Sequence, residues 1–236
     1  MDDLHMFNAV AERGQIVFFF IITQLFICIQ HFMVGTISDE MCLPNAQPRR
    51  NERLCSLAIS EYQKVLELDA KHKDALRNLA YLSYELDGSD EAERLYRRYL
   101  ALHGDEPAVL GAVAAIDYGR TVRRVMTAKS RFATNELWMQ THYCFEIRSE
   151  NLARLEEGIA LATRAMQISK DNETLMGYLS ALFSLRADLQ CHDKPAYEGD
   201  KKTAKTWDRE RKRVVKEGGA TYLDKCPPPP PPMLEN

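Results

Sequence analysis

Most of this chain repeats one pattern, apolar residues three and four apart with charged residues between them. Ala58–Lys71 carries Ala58, Ile59, Tyr62, Val65, Leu66 and Leu68 on that spacing, which puts them on one stripe of an α-helix. Asp74–Pro107 reads as two short amphipathic helices. Asp87-Gly88 makes the turn between them, and Ser89 followed by Asp90 and Glu91 starts the second, because such side chains suit the free N–H groups of a first turn. From Pro107 to about Arg131 no breaker is stronger than Gly111 and Gly119, and Val122, Val125 and Met126 continue an apolar stripe. That run predicts a single helix of roughly 25 residues. A loop or short helix follows over 132–146, then a long return helix through about 147–169 with Leu152, Leu155, Ile159, Ala162 and Met166 as its seam. A degenerate extra hairpin within 120–147 is the alternative. Glu173–Gln190 predicts a further helix, and Pro195 stands near the start of a last one reaching about Glu217. Its narrow stripe, Tyr197, Ala204, Trp207 and Val214, suits a helix that closes an array.

The pattern also repeats over a longer distance. Ala58/Ala92, Tyr62/Tyr96, Leu66/Leu100 and Leu68/Leu102 are each 34 residues apart, the length of a tetratricopeptide repeat. The stretch 73–106 resembles such a repeat, with Leu76, Leu79, Ala80, Tyr84, Ala92, Tyr96 and Leu100 at or beside its characteristic positions. It departs from the family pattern at Tyr99, where a small residue is usual, and at Gly104, where proline is usual. The resemblance, to repeat proteins of the bacterial membrane-anchored or exported type, covers roughly 58–217 in architecture and 58–106 in motif. It implies that Ala80 and Ala92 sit where two helices approach closely, and that a ligand lies along a concave surface lined by the first helix of each hairpin. On the best repeat those positions are Asp74, Arg77, Asn78, Tyr81, Tyr84 and Glu85. Arg77 and Asn78 suit a peptide carboxylate, as a charged fork and an amide donor. Tyr81 and Tyr84 also read as interhelical packing. The next first helix offers Ala108, Gly111, Ala112 and Ala115, which would widen or flatten the groove.

A repeat hairpin cannot bury its own stripe and must stack on a neighbour. Upstream of Ala58 the neighbouring helix should fall at about 39–52, where Pro44 and Pro48 interrupt any apolar period. The segment 39–53 therefore reads as a linker, and the helix from Ala58 as an edge that another segment or a partner must cover.

Before that linker, 14–38 contains no Asp, Glu, Lys or Arg, and thirteen of the residues from Ile16 to Val34 are Ile, Val, Phe or Leu. As a helix that run is roughly 28 Å long, near the hydrocarbon thickness of a bilayer. Its apolar residues favour insertion by about 4–8 kcal/mol before polar costs are counted. A transmembrane anchor, a cleaved secretory signal and a buried core helix are the three readings. Length and absence of charge favour the anchor, while Asp2, Asp3 and Glu12 against Arg13 disfavour a signal. Arg49, Arg50 and Arg53 after the span place the repeat domain on the cytoplasmic side, with export through a signal sequence as the alternative.

Composition narrows the function classes. A net charge of −3 offers no polyanion-binding surplus, so no nucleic acid partner is expected. Basic residues do gather at Arg120–Arg131 and Lys201–Lys216, as solvated faces or as contacts for anionic lipid. The six cysteines form no C-x-x-C pair and read mainly as free thiols. His142 with Cys144 and Cys191 with His192 are poorly spaced for zinc. No phosphate-loop, dinucleotide, nucleophile-elbow or metalloprotease motif occurs, so no enzyme, catalytic residue, metal or cofactor is expected. Six consecutive prolines near Cys226 predict an extended rod of about 19 Å.

These observations predict an all-α chain, a short tetratricopeptide-like helical-hairpin solenoid with a separate N-terminal hydrophobic helix and a poly-Pro tail. Its divisions are a flank at 1–13, a membrane anchor at 14–38 with 16–34 in the bilayer, a linker at 39–53, a repeat domain at 54–219 and a proline-rich tail at 220–236. The function implied is a membrane-tethered scaffold that binds a protein or peptide. The alternative is a structural protein that self-associates into a homo-oligomer through its uncovered edge helix and the long 107–169 hairpin.

Overall fold

The computed structural model describes residues 23–38, 42, 48–86 and 88–217, and every regular element among them is an α-helix. The expected all-α class holds. Helix α1 covers 23–38. It is followed by α2 (Pro48–Leu68), α3 (Lys73–Glu85), α4 (Ser89–His103), α5 (Pro107–Lys129), α6 (Asn135–Met139), α7 (His142–Ile168), α8 (Glu173–Asp188) and α9 (Lys194–Lys216). The chain divides into two compact units, Met1–Leu95 and Tyr96–Asn236, and the division falls inside α4. The poly-Pro tail and the apolar residues before Thr23 lie outside the described residues.

In the first unit α1 packs on α2, and Tyr62 is the centre of the contact. Its side chain is fully buried, with the Phe32 ring 6.0 Å away and a hydrogen bond of 3.0 Å from Asn78 Nδ2 on α3 to its hydroxyl. A Cβ on Gly35 would stand 2.9 Å from Tyr62 Cε1, so the absence of a side chain there sets how closely α1 can approach. Beside this contact Glu61, 6% exposed, receives hydrogen bonds from His31 of α1 and from Lys64 at 2.7 Å. Burial pushes the Glu61 carboxyl up, but the bonds and charges of Lys64 and His31 outweigh it and hold the group below its ordinary range.

The structure bears on two sequence expectations. Of the segment or partner expected to cover the edge at α2, a segment, α1, occupies that face, so the second half of the apolar 14–38 run packs within the first unit. Among the described residues no helix is long and apolar enough to cross a membrane. The linker expected over 39–53 ends at Pro48, where α2 begins. A proline in the first turn of a helix sacrifices no intrahelical bond, so it opens a helix as readily as it breaks one.

The cysteines differ from expectation as well. Cys42 is bonded to Cys55 across a Cα separation of 5.0 Å, and Cys144 to Cys191 across 5.8 Å. Cys28 is free and buried. Bridging depends on Cα distance in the fold, not on spacing in the chain. Cys144 and Cys191, 47 residues apart, meet because one begins α7 and the other lies in the α8–α9 turn. Closing loops of these lengths stabilises by about 3 and 4 kcal/mol on the chain-entropy account.

The second unit is two helical hairpins. α5 runs along α7 and α8 along α9, while α5 and α7 both touch α8. The long helix expected over Pro107–Arg131 is unbroken to Lys129, which excludes the extra hairpin at 120–147. Gly158 of α7 would bring a Cβ within 3.2 Å of Asp117 Cβ on α5, so its small size permits the α5–α7 approach. Asn172 and Asp193 cap α8 and α9, accepting from Leu175 N and Ala196 N. Trp138 of α6 is fully buried and donates from Nε1 to the Asp188 carbonyl at 2.7 Å. The Asp188 side chain in turn meets Lys129 Nζ at 2.9 Å and Lys201 Nζ at 3.5 Å, joining the ends of α5, α8 and α9. Tyr99 and Gly104, the two departures from the repeat pattern, have local explanations. Tyr99 is fully buried and donates its hydroxyl to Glu106, and Gly104 turns the chain after α4 at a φ of 77° that glycine adopts without strain.

Three outcomes are expected. Denatured, unreduced protein should react with at most two equivalents of maleimide and with six after reduction; six before reduction would contradict the pairing. Gly158→Val should destabilise by about 1–3 kcal/mol through overpacking. Gly119→Ala, with nothing within 4 Å of the added Cβ, should stabilise by roughly 0.5–1 kcal/mol. Denaturant titration reads both.

Candidate functional site

Helix α3 carries the binding residues expected from the sequence. His72 caps it, Nδ1 accepting from Ala75 N at 3.2 Å, and Ala75, Leu76, Leu79, Ala80 and Leu82 form its buried face. Asp74, Arg77, Asn78, Tyr81, Tyr84 and Glu85 are all half-buried. Their spacing of three and four places them together on a second stripe. Asp74, Arg77 and Asn78 are engaged locally, and Tyr81 and Tyr84 have partners as well. Arg77 Nη2 lies 3.0 Å from Asp74 Oδ1, and the Asn78 amide donates to Tyr62. The amide expected to hold a peptide carboxylate is therefore a structural link between α2 and α3, and Arg77 faces the Asp74 carboxylate of its own helix. Burial pushes the Glu85 carboxyl above its ordinary range, since removal of water disfavours the charged form.

The small residues of α5 do not form an open groove wall. Ala112 and Ala115 are 6% and 4% exposed, and a Cβ on Gly111 would stand 2.7 Å from Leu175 Cδ2 of α8. Gly111 thus serves the packing of α5 on α8, Ala115 belongs to the core of the second unit, and Ala108 is half-buried at the start of the helix.

Sequence reasoning missed a cleft of about 680 Å³ in the second unit, lined by Asn135 and Met139 of α6, by Gln140 just after it, by His192 in the α8–α9 turn and by Tyr197 and Glu198 in the first turns of α9. His192 has a left-handed φ of 59°, donates its backbone N–H to the Met139 carbonyl at 3.0 Å and stacks on Phe145 at 5.3 Å. The adjacent Cys144–Cys191 bond holds this corner together and takes both thiols out of any metal-ligand role. The unusual Cys191-His192 turn was the only local sign of this site. Its residues come from segments more than fifty positions apart, and no periodic pattern links them.

The chain matches no family model, and no curated protein matches its sequence.

The Glu85 environment has a measurable consequence. With its folded pKa raised, Glu85 adds stability below its unfolded pKa and loses that contribution as pH rises through the folded value. Glu85→Gln should therefore raise the Tm at pH 7, and the gain should vanish once the pH falls below the ordinary carboxylate range. Equal gains at both pH values would contradict a buried carboxylate.

Proposed function

We propose that this chain is a protein- or peptide-binding scaffold of tetratricopeptide-like hairpins, held at a membrane by its N-terminal apolar segment. The stacking pattern carries this reading. In the second unit the first helix of one hairpin touches the first of the next, α5 on α8, and the intervening second helix, α7, touches α8 as well. That packing is compatible with the neighbour-to-neighbour stacking of a helical solenoid, an architecture that presents a side-chain surface. The half-buried stripe on α3, centred on Arg77, is the surface the reading assigns to a peptide.

Support for the membrane comes from the outer side of α1. Leu25, Phe26, Ile29, Met33 and Ile37 are between 48% and 60% exposed and recur along one face, and no Asp, Glu, Lys or Arg occurs from 14 to 38. An uncharged apolar stripe opposite a packed face fits hydrocarbon or the lipid interface. Self-association through the edge helix and the long 107–169 hairpin is the alternative; with the face of α2 covered, it would use the hairpin or this outer stripe of α1. The two disulfides favour a repeat domain in an oxidising compartment, on the side of the membrane opposite to the one Arg49, Arg50 and Arg53 favour. Disulfides in the cytosol are reduced by glutathione and thioredoxin, whereas the flanking-charge rule is only a bias.

Peptides selected from a random library on the full chain should lose at least about ten-fold in affinity to Arg77→Glu, since charge reversal at a charge-assisted contact costs at least one such bond. Equal affinity for the variant would remove α3 as the binding surface.

A further inference from the structure

The fold treats the two basic clusters differently. In the first, Arg124 faces Glu150 at 3.5 Å, Lys129 faces Asp188 at 2.9 Å, and Arg131 lies over the Tyr143 ring at 5.3 Å. On α9 several cations are also paired, Lys201 with Asp188, Arg211 and Lys212 with Asp208, and Arg213 with Glu210 and Glu217. Lys202, Lys205, Arg209 and Lys216 have no carboxylate partner among the described residues. All four are exposed. With Lys212 they recur at spacings of three, four, three and four, which keeps them within one narrow arc of the helix.

The opposite face of α9 is committed to the core. Ala204 and Val214 are buried, Trp207 and Tyr197 pack on the same cluster, and Asp200 receives Arg186 and Gln190. The rotation of α9 is thereby fixed, and the basic stripe points away from the unit. It runs about 21 Å along a straight helix. Like charges at these spacings repel one another, and the chain as a whole is acidic, so the stripe is not a by-product of basic composition.

We propose that this stripe lies against the anionic headgroups of a membrane, with Lys202, Lys205, Arg209 and Lys216 as the contacts; the inference rests on the membrane-held reading above and on an anionic leaflet on the side that holds the repeat domain. A straight row of cations fits a charged plane, and four of the five side chains are lysines, compact point charges suited to a diffuse anionic surface. Bidentate recognition of individual phosphates would call for arginine, and base stacking for exposed aromatics on the same face.

The test is lysine acetylation of the full chain mixed with vesicles of phosphatidylcholine alone or with one third phosphatidylserine, read by mass spectrometry. Lys202, Lys205 and Lys216 should react about ten-fold more slowly on the anionic vesicles, recover at 0.5 M salt, and show no slowing on the neutral ones. Exposed Lys71 and Lys170 serve as references. Each basic residue near such a surface is worth roughly a five-fold gain in partitioning. Reversing Lys202, Lys205, Arg209 and Lys216 to Glu together should thus remove about a hundred-fold or more of the anionic preference in flotation. Flotation on neutral vesicles, which reports the N-terminal apolar segment, should not change.

Unslowed acetylation on anionic vesicles, with flotation on both kinds, overturns the α9 contact and leaves the membrane-held scaffold standing. Flotation on anionic vesicles alone, with the α9 lysines slowed, supports the contact and rejects apolar anchoring. No flotation on either rejects both. Stronger protection by duplex RNA than by anionic vesicles would overturn the lipid assignment.

Discussion

Two short amphipathic helices side by side cannot hide all of their apolar surface, so each hairpin in this chain needs another helix against it. The first unit meets this need at α2 with α1, drawn from the most apolar stretch of the sequence. Tyr62 is placed to make the contact specific. It touches Phe32, meets the gap left by Gly35, and accepts a hydrogen bond from Asn78, so one side chain joins three helices. The Glu61 carboxylate, bonded to His31 and Lys64, adds a polar lock that a lipid-embedded helix would not require. The second unit meets the same need by stacking α5 and α7 on α8, with Gly158 allowing the close approach.

How much of this could be read beforehand depends on the range of the interaction. Helix extents follow from local periodicity and breakers, which is why α5, α8 and α9 lie close to where the stripes of 107–131, 173–190 and 195–217 predict them. The covering of α2 depends on which of two solvents, protein or lipid, the apolar run 14–38 meets, and composition alone does not separate them. Pro48 was ambiguous for a related reason, since a proline that ends one helix can begin another. The disulfides and the cleft at His192 are properties of the assembled hairpins. Cys144 and Cys191 carry no mark in sequence that distinguishes them from Cys28, and only the meeting of the α7 start with the α8–α9 turn makes them a pair.

For the candidate surface, the stripe itself was legible and its chemistry was only partly so. Helical spacing alone groups Asp74, Arg77, Asn78, Tyr81, Tyr84 and Glu85. That Asn78 is turned to Tyr62 depends on where α2 packs, and that Gly111 meets Leu175 of α8 while Ala112 and Ala115 are buried depends on the assembled helices. The basic clusters separate on the same basis. Arg124, Lys129 and Arg131 of the first find partners on α7 and α8, whereas Lys202, Lys205, Arg209 and Lys216 on the outer stripe of α9 have no carboxylate partner among the described residues, because that side of the helix faces solvent.

In the proposed arrangement α1 belongs to the folded first unit through one face and meets lipid through the other. A photo-reactive amino acid placed singly at position 32 or position 29 of the full chain in membranes distinguishes the two faces. Cross-links are expected from position 32 to α2 near Tyr62, and from position 29 to lipid. Lipid adducts from both positions would mean that α1 is a free-standing span, and would overturn this arrangement.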